Sequence, residues 1–134
     1  MSQPFMAEIK VFSFGFAPNN WALTNGQTLP INQNQALFSL LGTTYGGNGQ
    51  TTFMLPDLRA RMPIAEGRGH GLGESAGALT AQLAVTTSRV GGSAASGGLV
   101  MVPRSPSLNP IATTPPYLAV NFSIALAGIF PSQN

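Results

Sequence analysis

Between Gly26 and Ile64 the chain offers a single run suited to an α-helix, and closes it on both sides with residues that forbid a longer one. Residues 31–42, INQNQALFSLLG, place Ala36, Leu37, Leu40 and Leu41 on one helical stripe, with Phe38 at its edge. Asn32 as N-cap, with Gln35 three residues on, has capping-box spacing, and Gly42 stands where a left-handed residue ends a helix. A helix over about residues 33–41 is marginal in water by itself, so a sheet must hold it.

The flanking sequence supplies strands rather than more helix. Ala7–Phe16, AEIKVFSFGF, has the period of two expected of a strand: Ile9 and Val11 fall on one face, Glu8, Lys10 and Phe12 on the other. Ala17-Pro18-Asn19-Asn20 is a turn by composition, and Trp21–Thr24 returns as a short strand ending at Asn25-Gly26, a pair that favours hairpin turns. Thr43–Thr52, TTYGGNGQTT, is a glycine-rich turn. Phe53–Leu55 is extended, Pro56-Asp57-Leu58-Arg59 makes a sharp corner, and Arg61–Ile64 reads as a further strand.

Downstream, Glu66–Gly98 is rich in Gly, Ala and Ser and reads as loops around brief strands, and the prolines of Leu99–Thr114 keep that run extended or irregular. Tyr117–Phe130, YLAVNFSIALAGIF, alternates Leu118, Val120, Phe122, Ile124 and Leu126 on one side, as a strand through the core does. The expected fold is α+β: a small, mostly antiparallel sheet with one short helix on it, then a Gly/Ser-rich β and loop region and a C-terminal strand. Two parts are expected, residues 1–65 and 66–134, with the strand at 117–130 returning to the first part or crossing into a neighbouring subunit.

Composition narrows the chemistry. Only 7% of the 134 residues are charged, against about 25% in ordinary soluble domains. Such a surface has little repulsion to keep copies apart, and suits contact with itself or with neutral glycans. Net charge is only +2, and Lys10, Arg59, Arg61, Arg68, Arg89 and Arg104 are scattered, so the basic stripe that nucleic-acid binding needs is not there. With no cysteine, thiol catalysis and cysteine zinc sites are excluded. Met1–Lys10 lacks the basic start and apolar run of a signal peptide, and Tyr117–Phe130 is too short to span a bilayer as a helix.

The candidate sites read as structure rather than catalysis. His70 is the single histidine; Glu66 and Glu74 lie near it, but no nucleophile converges with it, and a loop histidine is expected. Asp57 is expected to fold back on the corner after Pro56, neutralised by Arg59 or Arg61. Gly67-x-Gly69-x-Gly71-x-Gly73 lacks the following helix and lysine of a phosphate loop. Trp21, Tyr45 and Tyr117 have the flat faces on which sugars stack; aromatics of this kind more often anchor a core or an interface, and Trp21 is expected in the core.

Residues 8–64, with FAPNNW, GQTLPI, QNQALFSLLGTTYGG and FMLPDLRAR in order, resemble the phage tail collar domain found in microcystin-dependent proteins and short tail fibres. The ending PPYLAVNFSIALAGIFPSQN is similar to that family's ending. The resemblance implies a non-enzymatic, homo-oligomeric fibre or surface protein, often trimeric. Family members often continue with an H-x-H pair that in a trimer resembles an axial metal site; here Thr86 and Ser88 stand at those positions, so no metal and no cofactor are expected.

The expected function is thus a self-associating structural protein of a tail fibre or extracellular filament, located extracellularly or in a virion tail. Its expected partner is itself, as a homotrimer or a filament, with neither nucleic acid nor membrane insertion. The alternative is a trimeric adhesin that recognises a cell-surface glycan through loops around Gly91–Gly98. Trp21, Asn32, Gln35, Gly42, Tyr45, Asp57, Arg59, Arg61, Tyr117 and Phe122 are the residues expected to carry structure and assembly, and none is expected to be catalytic.

Overall fold

The computed structural model describes residues 3–81 and 111–133. They fall into two units, one built from the chain up to Ser75 together with Leu118 onward, the other from Ala76–Tyr117. The architecture is α+β, with mostly antiparallel strands in small sheets and one short α-helix among the described residues.

In the first unit, β1 (Ile9–Phe12), β2 (Trp21–Leu23) and the late strand, β7 (Asn121–Ala125), form a three-stranded sheet in the order β1-β7-β2. Both pairings are antiparallel, with Ile9 opposite Ile124 and Ala22 also opposite Ile124. The C-terminal strand therefore occupies the centre of the sheet. Its Ser123, Ile124 and Ala125, which alternate between the two faces, are all buried, so both faces of the sheet are covered at this point. Ser123, opposite Lys10 and Leu23, keeps its Oγ without a hydrogen-bond partner.

A second antiparallel pair, β3 (Thr28–Pro30) with β4 (Thr52–Met54), brackets the helical segment. Leu37 of α1 (Gln35–Leu41) reaches the core, where it is 1% exposed. It clusters with Phe53, Leu55, Ile124 and Ala22, so helix, second sheet and first sheet share one apolar centre. Phe38 adds a tilted ring contact to Phe53 at 5.5 Å between centroids. In the second unit β5 (Thr80–Ala81) pairs antiparallel with β6 (Ile111–Ala112), and every described residue there is exposed.

Several local expectations need correction. Asn32 does not cap the helix: it lies in a 3₁₀ turn, Ile31–Gln33, and α1 begins at Gln35 with Asn34 at the N-cap position. That turn closes through Asn34 N–H to the Ile31 carbonyl at 3.0 Å, and the Asn34 side-chain amide donates to the Pro30 carbonyl instead of capping. Gly42, in contrast, does end the helix, at φ 55°, with its N–H on the Phe38 carbonyl.

Asn25-Gly26 makes no hairpin, because β2 pairs with β7 rather than with the strand that follows it. Gly26 N–H goes to the Pro56 carbonyl, and Asn25 Oδ1 accepts from Gln27 N–H. Residues 61–64 form no strand and are exposed. The C-terminal strand spans five residues rather than 117–130, leaving Tyr117 and Leu118 80% and 86% exposed.

Trp21 is not a core residue. It shares a face of the sheet with Ala125, which is small and fully buried, and is itself only half-buried. Phe12 meets the indole edge-on at 5.5 Å, and Phe14 and Phe16 continue the aromatic row at 5.1 and 4.8 Å.

Candidate functional site

The Pro56 corner is the best-tied polar feature of the first unit. Gly26 N–H meets the Pro56 carbonyl, and Leu58 N–H donates to the Thr24 carbonyl at 2.9 Å, so the corner is bonded to the connection between β2 and β3. Gly26, at φ 74°, lets Asp57 come close: a Cβ there would stand 3.2 Å from the Asp57 Cβ. Arg59 then grips the Asp57 carboxylate with two side-chain bonds, Nε to Oδ1 at 2.9 Å and a second guanidinium nitrogen to Oδ2 at 2.7 Å. Its backbone N–H adds a third bond, to Oδ1. Arg61 adds only its field, so of the two arginines expected to neutralise Asp57, Arg59 does so.

These bonds have a consequence for acid stability. Hydrogen bonding from the Arg59 side chain holds the Asp57 carboxyl at about 2, against an ordinary 3.8, and the carboxylate raises the Arg59 guanidinium in turn. A carboxyl depressed on folding stabilises the fold above its unfolded value and loses that contribution as pH falls through the folded one. The stability difference between wild type and Asp57→Asn is therefore expected to narrow as pH falls from about 4 to about 2, measured by urea unfolding at each pH. A gap that stays constant across that window would show that the carboxylate charge does not hold the corner.

The glycine-rich turn is organised by a residue that the sequence reading passed over. Asn48 Oδ1 accepts the N–H groups of Gln50, Thr51 and Thr52 at 2.9, 2.9 and 3.0 Å, and its Nδ2 donates to Thr51 Oγ1 at 2.8 Å. The Asn-Gly pair at 48–49 was the available signal, since Asn side chains readily bond backbone groups two or three residues on. The turn stands across a cleft of about 490 Å³ from Asn32 and Gln35, with Gln50 and Thr51 on its own side. Tyr45 is half-buried within the turn.

His70 lies in a loop closed by reciprocal bonds between the backbones of Gly67 and His70, and the imidazole Nδ1 is 3.3 Å from Glu74 Oε1. Glu74 Oε2 is occupied by the Gly71 N–H. Among the described residues no three His, Cys, Asp or Glu side chains are grouped to hold a metal ion. Thr86 and Ser88, and the Gly91–Gly98 loop, lie outside the described residues.

The expected assembly residues do not form one site. Asp57 and Arg59 come together, Asn32 and Gln35 border one cleft, and Trp21 borders another. Phe122, half-buried on β7, accepts both the Thr24 N–H and the Thr24 hydroxyl at its carbonyl. Tyr117 belongs to the second unit.

A short helix on small antiparallel sheets and a Pro-Asp-x-Arg corner buttressed by Arg59 make the first unit a small β-rich α+β module. Residues 7–63, a little under half of the chain, match the family model of the phage tail collar domain. No curated protein matches the chain.

Proposed function

We propose that the chain is a non-enzymatic, self-assembling structural component of a phage tail fibre, joined copy to copy through β-rich contacts and located in the virion tail. One observation carries this reading: a low-charge chain leaves large apolar side chains bare. Val11, Phe16, Met62 and Ile64 are 57%, 66%, 82% and 62% exposed in the first unit. Large apolar side chains left this exposed gain free energy when a second copy covers them.

Strand geometry supports it. Among the described residues β1 and β2 pair only with β7, so each presents an outer edge to which another strand can add. In the second unit β5 and β6 pair with no buried residue, and a two-stranded ribbon without a covered face is marginal by itself. No helix among the described residues is long and apolar enough to cross a membrane.

Light scattering on the purified chain at two concentrations tests the proposal. A fixed mass of several chains is expected for a closed oligomer, and a mass that grows with concentration for an open filament. A monomer at both concentrations would overturn self-assembly.

A further inference from the structure

Trp21 is the only tryptophan of the chain, and it borders a cleft of about 190 Å³ together with Gln3, Asn19, Asn20 and Gly128. The volume falls below the roughly 300–1,000 Å³ of pockets for drug-sized ligands, which limits an occupant to one small ring.

The walls are held in place by backbone bonds. Asn20 sits at φ 64°, a left-handed conformation that Asn tolerates better than most residues. Its carbonyl accepts Leu126 N–H at 2.8 Å, and Trp21 N–H closes the preceding turn onto the Pro18 carbonyl. On the opposite wall Gly128 passes so close to the Pro4 carbonyl that a Cβ would strike it, and Ile129 N–H donates to that same carbonyl at 2.9 Å. Among the described residues the amide side chains of Gln3, Asn19 and Asn20 and the indole N–H make no hydrogen bond.

The chemistry selects a class of ligand. An indole supplies a rigid apolar wall with one donor at its edge, and primary amides present a donor and an acceptor side by side, matching adjacent hydroxyls. No lining residue among those described carries a charged side chain. Lys10 Nζ lies over the indole at 5.7 Å from its centroid and is paired with Glu8 at 3.3 Å. Among the described lining residues a neutral polyol ring meets both an apolar wall and several hydrogen-bonding amides.

We propose that this cleft binds one neutral pyranose unit of a surface polysaccharide, with Trp21 as the apolar wall and Asn19, Asn20 and Gln3 holding its hydroxyls. This adds a ligand to the structural role and does not depend on self-assembly.

The single tryptophan makes the test direct. Intrinsic fluorescence of the full chain is followed while D-glucose, D-galactose, D-mannose and N-acetyl-D-glucosamine are titrated separately. At least one is expected to give a saturable shift with Kd on the order of millimolar, as suits a ligand of about a dozen heavy atoms. Asn20→Gly keeps the left-handed backbone while removing the amide, and Asn19→Ala removes its neighbour; each is expected to weaken binding about tenfold. An oligosaccharide ending in the responding sugar is expected to bind at least as tightly as the free sugar.

Absence of a saturable response to all four sugars, or an equal response in both variants, would overturn the proposal. Binding of the free sugar alone would overturn its polysaccharide part. Light scattering on the same samples separates these outcomes from failure of assembly.

Discussion

Replacing Phe53 by alanine is expected to cost about 3–5 kcal/mol and to lower Tm by on the order of 15 °C. Phe53 is wholly buried, and its neighbours in the cluster come from different elements: Leu37 from α1, Ile124 from β7 and Ala22 from β2. No one neighbour can close the space the ring leaves, because each is fixed by its own backbone ladder. The second ring contact, with Phe38, disappears as well. Urea unfolding at one fixed protein concentration measures the loss, since any self-association makes stability concentration-dependent. Phe53→Leu keeps much of the volume and is expected to lose clearly less than Phe53→Ala. Equal losses for the two would show that ring volume is not what holds the cluster.

Gly47→Ala is expected to destabilise by about 3 kcal/mol or more, although residue 47 is exposed. Gly47 adopts φ 95°, where an L side chain is strained, and an added Cβ would run into the Phe53 Cα and stand 2.7 Å from the Thr52 carbonyl oxygen. Those are backbone atoms of β4, paired to β3 through Thr28–Met54 and Leu29–Phe53, so they cannot yield as the end of a flexible side chain would. Gly69 separates space from dihedral angle: it has φ 91° with nothing within 4 Å of a new Cβ. Gly69→Ala is therefore expected to cost only the left-handed strain, about 1–2 kcal/mol. Thermal unfolding of the two variants side by side distinguishes them, and equal costs would mean that close approach to β4 is not the reason for glycine at position 47.

The helix shows where sequence reading reaches its limit. Leu37, Leu41 and the stop at Gly42 were legible because 3.6-residue periodicity and a positive-φ glycine are local properties, but Ala36 of the expected stripe is exposed and Phe38, placed at its edge, packs on the core. The start was misplaced by two residues because Pro30 and the bond from Asn34 N–H to the Ile31 carbonyl turn Ile31–Gln33 into a 3₁₀ turn. A capping pattern does not reveal which of two asparagines the backbone selects.

The Asp57–Arg59 pair was legible for the same reason of short range, whereas the choice of Arg59 over Arg61 required the actual direction of the corner. The Trp21 cleft was not legible at all. Its walls come from the N-terminal segment, the 18–21 turn and the end of β7, and no spacing rule links Gln3 to Gly128.

What the sequence determined by itself was therefore local: one short helix, strand-forming alternation, glycine turns, a proline corner and a surface nearly free of charge. Tertiary structure decided the partners. Val11 meets Phe122, and Leu23 meets Ser123, across a separation that no local pattern encodes. Strand alternation states which residues share a face but not which strand lies alongside, or which face is covered. Packing settled both, placing β7 between β1 and β2 so that Ile124 joins Phe53 and Leu37 in one apolar cluster. The same placement buries Ser123 and Ala125 on the other face, where Trp21, paired with Ala125 on the outer strand β2, stays only half-buried.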